Sequence, residues 1–481
     1  MRNLLCVQCL VGFLTCTPSL RAADSNRPGE VADSAVNSII NVVLDHHIDP
    51  PTKQEMVLSG VRALFRAAGK PLPRGISREI SELTTPELID DYVREVVADN
   101  RKVKGAKDVL LKGMAECVRG GASFTDPSVS RINSQVAANR YVGTGIALGF
   151  DGKTKQPMIS KVFYNGPAWK AGAKGQDRIV EIDGKTTANM KMKQVLEALR
   201  GEAGSEVAML VQQPEVEATR QLVVTRGRVF LPTIEGYRLV SEGQWKYSID
   251  VAPKVALIRL KSIGPSTLHE LRRVEATLRD EGTRAVILDL RTGGALLHDV
   301  VMVADALIDD AAIGHVRSLD GRTTHTAQPG AMFQDMPMAV LTSKFTSAGH
   351  VFLAAALQDN GRAVVVGERT PGNTYVRSLI DIPGRDEQVT LATAVMERAD
   401  GTPLLVSPGQ GAATPSFAIE KRGLELERKR KTGFILPDHE VKGGAVPRAR
   451  DYENDPTAKA AIVVLSQRLE GDVDSSSEST N

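Results

Sequence analysis

Aromatic residues make up only 4% of this 481-residue sequence, and cysteine occurs four times. Three of those cysteines, Cys6, Cys9 and Cys16, fall in the first sixteen residues. If that segment is removed, Cys117 stands alone and no disulfide can form within one chain, so stability must come from packing. Charge of one sign is also missing: 60 basic residues face 58 acidic ones, with no basic block and no basic–aromatic interleaving, which excludes the footprint of a nucleic-acid binder. There is no Walker run, no dinucleotide fingerprint and no His/Cys cluster, so no metal and no organic cofactor is implied. His46-His47 are adjacent, which is not a chelating arrangement on a helix, and they read as solvated or capping histidines. Beyond the N-terminus no long apolar run appears, so the mature chain has no transmembrane segment.

What is present begins with MRNLLCVQCLVGFLTCTPSLRAADS. One arginine precedes an apolar stretch from Leu4 to about Thr15, followed by small residues. That is the layout of a signal peptide, residues 1–22, cleaved after Ala22 or Ala23. The expected destination is periplasmic or extracellular. Phe13-Leu14-Thr15-Cys16 is a poor lipoprotein signal, so no lipid anchor is expected. Cleavage would take away Arg2 and Arg21 and leave a neutral chain.

Residues 31–139 form a helical N-terminal region: apolar residues recur at helical spacing in Ser34–Leu44, Glu55–Ala68, Pro86–Ala98 and Lys107–Cys117. Residues 140–228 switch to short β-rich runs separated by turns such as Asp151-Gly152 and Asp183-Gly184, with one helix at Met192–Arg200. Residues 231–441 alternate strand and helix, as in Val255–Leu260, Ser266–Glu281, Ala285–Leu290, Asp299–Ile308, Met338–Thr342, Gly349–Gln358 and Ala363–Gly367, which argues for an α/β core. Ser266 is a candidate N-cap, with Glu270 near capping-box spacing. Residues 442–481 hold one more helix, Ala458–Leu469, and a polar tail from Ser475 expected to be disordered.

Two resemblances follow from particular residues. Tyr141-Val-Gly-Thr-Gly-Ile-Ala-Leu148, Gly166-Pro-Ala-Trp-Lys-Ala-Gly172 and Asp177-Arg-Ile-Val-Glu-Ile-Asp-Gly184, in that order, make 140–228 resemble a PDZ domain. Such domains bind extended protein C-termini by strand addition. The resemblance implies a carboxylate loop at Gly143, Thr144, Gly145, Ile146 and Ala147, and a ligand lying beside the Met192–Arg200 helix. The α/β core resembles the C-terminal-processing (tail-specific) serine peptidases. The matching pieces are Ala285-Val-Ile-Leu-Asp-Leu-Arg-Thr-Gly-Gly294, Leu353–Glu368, Thr370-Pro-Gly-Asn-Thr-Tyr-Val-Arg377 and Gly433-Phe-Ile-Leu-Pro-Asp-His-Glu-Val441. The fold class is therefore α/β multidomain: helical N-terminal region, PDZ β domain, peptidase-like core.

That family's chemistry uses a serine activated by a desolvated lysine, which a glutamine orients. Here the lysine position is Asn373 and the glutamine position is Arg377. Asparagine is no useful base, and arginine stays protonated. Counting back without a gap from Gln358-Asp359 places the nucleophile position at Ala348. One extra residue within Leu353–Leu357 would make it Ser347, in Ser-Ala-Gly. An insertion there turns every later side chain by roughly 100°, which favours Ala348. His350 lies three residues after Ser347 and could approach it, against the plainer reading of a buried or solvated histidine. Gly293 and Gly294 would supply the oxyanion loop, but only Thr292 separates them from Arg291, and a tight strand-to-helix turn needs glycines anyway. Three functions stay open. The first is a pseudo-peptidase binding protein C-termini or unfolded polypeptide segments through its PDZ domain. The second is an active serine endopeptidase using Ser347, and the third a structural envelope protein without peptide binding.

Overall fold

A computed structural model describes residues 35–125, 139–404 apart from 153, 155, 215, 242 and 373, then 437–441 and 452–478, without the side chains of 471–478. The signal-peptide segment 1–22 and Asn373 lie outside the described residues.

The N-terminal region is built from α1 (Ala35–His46), α2 (Lys53–Ala67), α3 (Ile76–Ser81), α4 (Pro86–Asp99) and α5 (Ala106–Ala115), followed by β1 (Ser123–Thr125). Thr52 and Glu55 close a capping box on α2, and Thr85 caps α4 ahead of Pro86 at its first position. α2 and α5 touch backbone to backbone through Gly60 and Gly113. A Cβ on Gly113 would fall 2.3 Å from the Ala63 Cβ, so neither position tolerates a side chain. α3 has no counterpart in the sequence reading, because six residues carry too little periodicity to register. His47 differs from its reading as solvated or capping. It is fully buried, with Nε2 2.7 Å from the Arg119 carbonyl and Nδ1 accepting from the Asp49 N–H at 3.0 Å.

The PDZ unit contains β2 (Arg140–Gly143), β3 (Ile146–Phe150), β4 (Pro157–Val162), α6 (Pro167–Lys170), β5 (Arg178–Ile182), β6 (Lys185–Thr186), α7 (Met192–Leu199), β7 (Glu206–Gln212), β8 (Thr219–Thr225) and β9 (Gly227–Phe230). Its main sheet runs β3-β4-β5-β7-β8 with β6 on β5, so β3 is an edge strand. Val195 and Leu199 of α7 close its apolar core over Ile159, Ile179 and Met209. β2 and β9 pair antiparallel in a separate ribbon at the join with the core.

The core opens with β10 (Ile234–Gly236), β11 (Arg238–Ser241), β12 (Gln244–Lys246), β13 (Ser248–Ile249), β14 (Ala252–Leu260) and β15 (Ser262–Ile263). It continues through α8 (Thr267–Asp280), β16 (Ala285–Asp289), β17 (Gly294–Ala295), α9 (Leu297–Leu307), β18 (Ala312–Ser318) and β19 (Gly321–Thr326). It ends with β20 (Met338–Thr342), α10 (Ala348–Asp359), β21 (Ala363–Gly367), β22 (Tyr375–Asp381), β23 (Gln388–Glu397), β24 (His439–Glu440) and α11 (Pro456–Glu478). The central strands β14, β16, β20 and β21 are parallel and buried on both faces. Alternate residues face opposite sides. Ala256, Ile258, Val286 and Leu288 meet α8, α9 and α10, whereas Val255, Leu257, Ala285 and Ile287 meet Ala458, Ala461 and Leu465 of α11.

Three details differ from the sequence reading. Ser266 does not cap α8. Its hydroxyl donates to Glu270, whose carboxylate also takes the Thr233 and Ile234 N–H groups, because the start of β10 passes beside the helix end. A second, antiparallel sheet (β1-β23-β18-β19, with β22 on β23) joins the core to the helical region, where Ile382, Val389 and Leu391 enter the helical core. Strand–helix alternation gave no sign of it, since strands such as Gly-Arg-Thr-Thr-His-Thr are mostly exposed and polar. Finally, α11 runs to Glu478, past the Leu469 end expected and through Ser475, where disorder was expected. Once its first turns dock, each further residue adds a hydrogen bond without a new nucleation cost.

Candidate active site

Ligands of open α/β sheets gather at the C-terminal ends of the strands. In this core that edge carries the loop after β16, with Gly293-Gly294, and the loop after β20, which leads into α10. The second loop is a tight turn: the Ser343 N–H donates to Thr346 Oγ1 at 2.9 Å, and the Thr346 N–H to the Ser343 carbonyl at 3.1 Å. Ser343 Oγ also donates to the Arg291 carbonyl at 2.9 Å, which joins the two loops.

Ser347 is the N-cap residue of α10, yet its side chain caps nothing. Its Oγ lies 2.7 Å from His350 Nδ1, one helical turn on. His350 Nε2 is 3.1 Å from the Leu260 carbonyl. A carbonyl can only accept, so Nε2 carries the hydrogen and Nδ1 accepts from the serine hydroxyl. Burial pushes the His350 pKa down to about 4, so the ring is neutral at physiological pH. His350 is thus buried and paired with Ser347. Ala348, in the first turn of α10, is half-buried and packs on the core.

The glycine loop is shaped by that imidazole. Gly293 has φ +137°, and a Cβ there would lie 2.3 Å from the Lys261 carbonyl oxygen and 2.9 Å from His350 Cε1. Thr292 accepts from Arg259 Nη2 at 2.9 Å, and Gly294-Ala295 pair in parallel with Ser262-Ile263. A Cβ on Gly349 would fall 2.5 Å from the Ala295 Cβ, so α10 abuts the loop directly.

Beneath lies an ion cluster that sequence reasoning missed. Arg291 donates from Nε and Nη2 to the two oxygens of Asp289, at 3.0 and 2.8 Å, and its Nη2 lies 2.6 Å from Asp455 of the α11 approach. The Tyr452 hydroxyl donates to Asp289 at 3.1 Å. Arg291, Asp289 and Asp455 are almost wholly shielded from water. Burial would raise the Asp289 carboxyl, but the Arg291 guanidinium outweighs it and holds the group below the usual carboxylate range. Only the Asp-x-Arg spacing hinted at this, and no local pattern points to residues 452–455.

Arg377 is not brought to Ser347. On β22 it donates from Nη2 to the Gly121 carbonyl at 3.1 Å, while Tyr375 packs against Gly120, so this strand is tied to the helical region. Lys344 is exposed, its ammonium 5.3 Å from the Phe345 ring centroid. His315 bonds Thr324 and the Ala399 carbonyl, away from this edge.

In the PDZ unit, β3 has no strand partner on its outer side among the described residues, and α7 shares its apolar core. Of the expected carboxylate loop, Gly143, Thr144 and Gly145 are buried, and Ile146 and Ala147 are half-buried.

Comparison with known proteins agrees with this layout. Residues 254–409 match peptidase family S41, and residues 158–213 match the PDZ domain. The α/β core is thus similar to peptidase family S41 over about a third of the chain. The carboxyl-terminal-processing protease of Picosynechococcus sp. is 32% identical over 252 residues, covering 52% of this chain and 59% of that protein. The chloroplastic C-terminal processing peptidase of Tetradesmus obliquus is 26% identical over 336 residues, 68% of this chain and 72% of its own. The match thus spans under two thirds of the Picosynechococcus protein. Among solved structures, the photosystem II D1 C-terminal processing protease aligns over 85% of this chain and 98% of its own, at 20% identity and a TM-score of 0.38. Among the described residues, no helix is long and apolar enough to cross a membrane.

Proposed function

We propose that this chain is an exported S41 homologue that holds protein C-termini or unfolded segments in its PDZ groove and no longer hydrolyses them efficiently. One observation carries the reading. The hydroxyl at the start of α10 meets not a lysine but a buried histidine with a pKa of about 4. Loading a proton onto such a base at neutral pH costs about 4 kcal/mol, at the step where a general base must take one. The sequence supports the same reading, with Asn373 and Arg377 at the lysine and glutamine positions. Export rests on the apolar stretch from Leu4 and the small residues up to Ala23. Peptide capture rests on the edge of β3, unpaired among the described residues, with α7 sharing its apolar core.

A second reading is favoured by the same geometry. Ser347, His350 and the Leu260 carbonyl stand in the order nucleophile, base, orienting acceptor. In that case Ser347 Oγ adds to a peptide carbonyl and its proton passes to His350 Nδ1. The same proton then goes to the departing amine, and water later releases the acyl group.

The deciding experiment incubates the purified chain, and its Ser347→Ala variant, with an unfolded protein bearing an apolar C-terminus. Bound tail without cleavage is the expected result. Cleavage that disappears in the variant would establish the second reading and sink the first. Neither binding nor cleavage would leave a structural envelope protein.

A further inference from the structure

The helical region separates its charges. Taken whole, residues 35–125 are nearly balanced, yet the stretches 69–75 and 100–107 carry basic side chains and no acidic one. The first holds Lys70 and Arg74, the second Arg101, Lys102, Lys104 and Lys107. The fold brings the two stretches together: Lys70 Nζ donates to Oδ1 of the buried Asn100 at 3.0 Å, and Leu72 and Val103 pack on the same helical core. All six cations are exposed, and none forms an ion pair with another described residue. Lys70, Arg101 and Lys102 follow the ends of α2 and α4, where the helix dipole favours positive charge. Arg74, Lys104 and Lys107 stand at the starts of α3 and α5, where the dipole disfavours it. Folding alone does not favour those three, so the concentration of charge answers to something outside the chain.

We propose that this basic end of the helical region seats the chain on an anionic lipid surface, with the six cations against the phosphate headgroups.

The form of the patch suits a diffuse anionic surface better than a discrete ion. Among the described residues of 35–125 no buried side-chain nitrogen or oxygen lacks a hydrogen-bond partner, so these loops hold no ready-made polar pocket. The cations are spread over two loops and a helix start, on long stems that can each reach a separate headgroup. Their base is firm. Pro71 and Pro73 fix φ on either side of Leu72, and Gly105 carries the turn into α5 at φ +68°. Each basic residue within a Debye length of an anionic membrane adds to the attraction, so several together give a reversible hold with no apolar insertion. Such seating needs neither peptide binding nor peptidase chemistry. It rests on the export reading alone, which brings the chain to a membrane.

The test is co-sedimentation of the chain, freed of its apolar leader 1–22, with vesicles of equal parts phosphatidylglycerol and phosphatidylcholine, and with vesicles of phosphatidylcholine alone. Two double variants accompany it: Lys102→Gln with Lys104→Gln, and, as a charge-matched control, Lys174→Gln with Lys185→Gln at exposed positions of the PDZ unit. An unchanged urea midpoint checks each fold. Binding is expected on the anionic vesicles only. The first pair should weaken it about 25-fold, since each cation at the surface is worth about fivefold, and the control pair should leave it unchanged. Salt at about 1 M, where the Debye length shrinks to about 3 Å, should release the chain. Equal binding to neutral vesicles, or a first pair that weakens binding no more than the control, overturns the seating. So does absence of vesicle binding, even where the loops retain a soluble polyanion such as heparin. None of these results touches the PDZ reading, which the tail-binding assay decides separately.

Discussion

Two glycine loops in this molecule are each closed by a ring from the chain itself. In the PDZ unit Tyr141 lies on Gly143, and in the core His350 lies under Gly293. The contacts are similarly close, 2.8 Å and 2.9 Å to a would-be Cβ, but the rings are held differently. His350 is wholly buried, bonded at both nitrogens, and set above a buried ion cluster. Tyr141 is partly exposed on a two-stranded ribbon. The first ring is enclosed and bonded at both nitrogens, and the second stands near the surface. A loop that binds has to be able to open, which is why the proposed peptide binding is assigned to the PDZ loop and not to the core loop.

This contrast can be attacked in several ways. The largest effect is expected from Arg291→Met, which strands Asp289 and Asp455 as unpaired buried carboxylates. We expect a loss of about 3–5 kcal/mol in urea unfolding. A loss below about 1 kcal/mol would mean that nothing pins the core loop from below. Acid should act next. His350 has a folded pKa of about 4 against 6.5 for the free side chain, so the unfolded chain binds the extra proton first. Its contribution is complete above about pH 6.5 and is lost progressively down to about pH 4, for a total of about 3 kcal/mol. His350→Gln should flatten that part of the stability–pH curve, and an unchanged slope would refute the assignment.

A matched pair of substitutions compares the two loops directly. Gly293→Ala places a Cβ against a backbone oxygen at a left-handed φ, and should cost about 2–3 kcal/mol. Gly143→Ala meets only the outer atoms of a ring near the surface, and should cost less than about 1 kcal/mol. Equal costs would erase the distinction between an enclosed ring and one near the surface. Smallest of all, Arg377→Gln removes one exposed bond to Gly121, and should shift stability by no more than about 0.5 kcal/mol without creating peptidase activity.

Much of the fold was legible in advance. Strands at Met338–Thr342 and Ala363–Gly367 and the helix from Met192 appear where the pattern placed them, because buried parallel strands and amphipathic helices write their periods into consecutive residues. The antiparallel sheet escaped because the mostly exposed edge strand Gly321–Thr326 carries no apolar period, and because β22 and β23 are identified by their partners more than by their own residues. At the site, proximity of Ser347 and His350 could be read from a three-residue spacing, whereas the direction of the hydrogen bond could not. It depends on Leu260, ninety residues earlier, offering an acceptor to the far nitrogen.

The order of elements and the glycines that the two loops require were determined by the sequence alone, since each is a matter of residue type and local spacing. Tertiary packing alone decided that Arg291 meets Asp455, that Arg377 turns to Gly121, and that His350 lies deep enough to lose its affinity for protons. These depend on which surfaces exclude water together. Exclusion of water is a property of the assembled core, and no window of consecutive residues contains it.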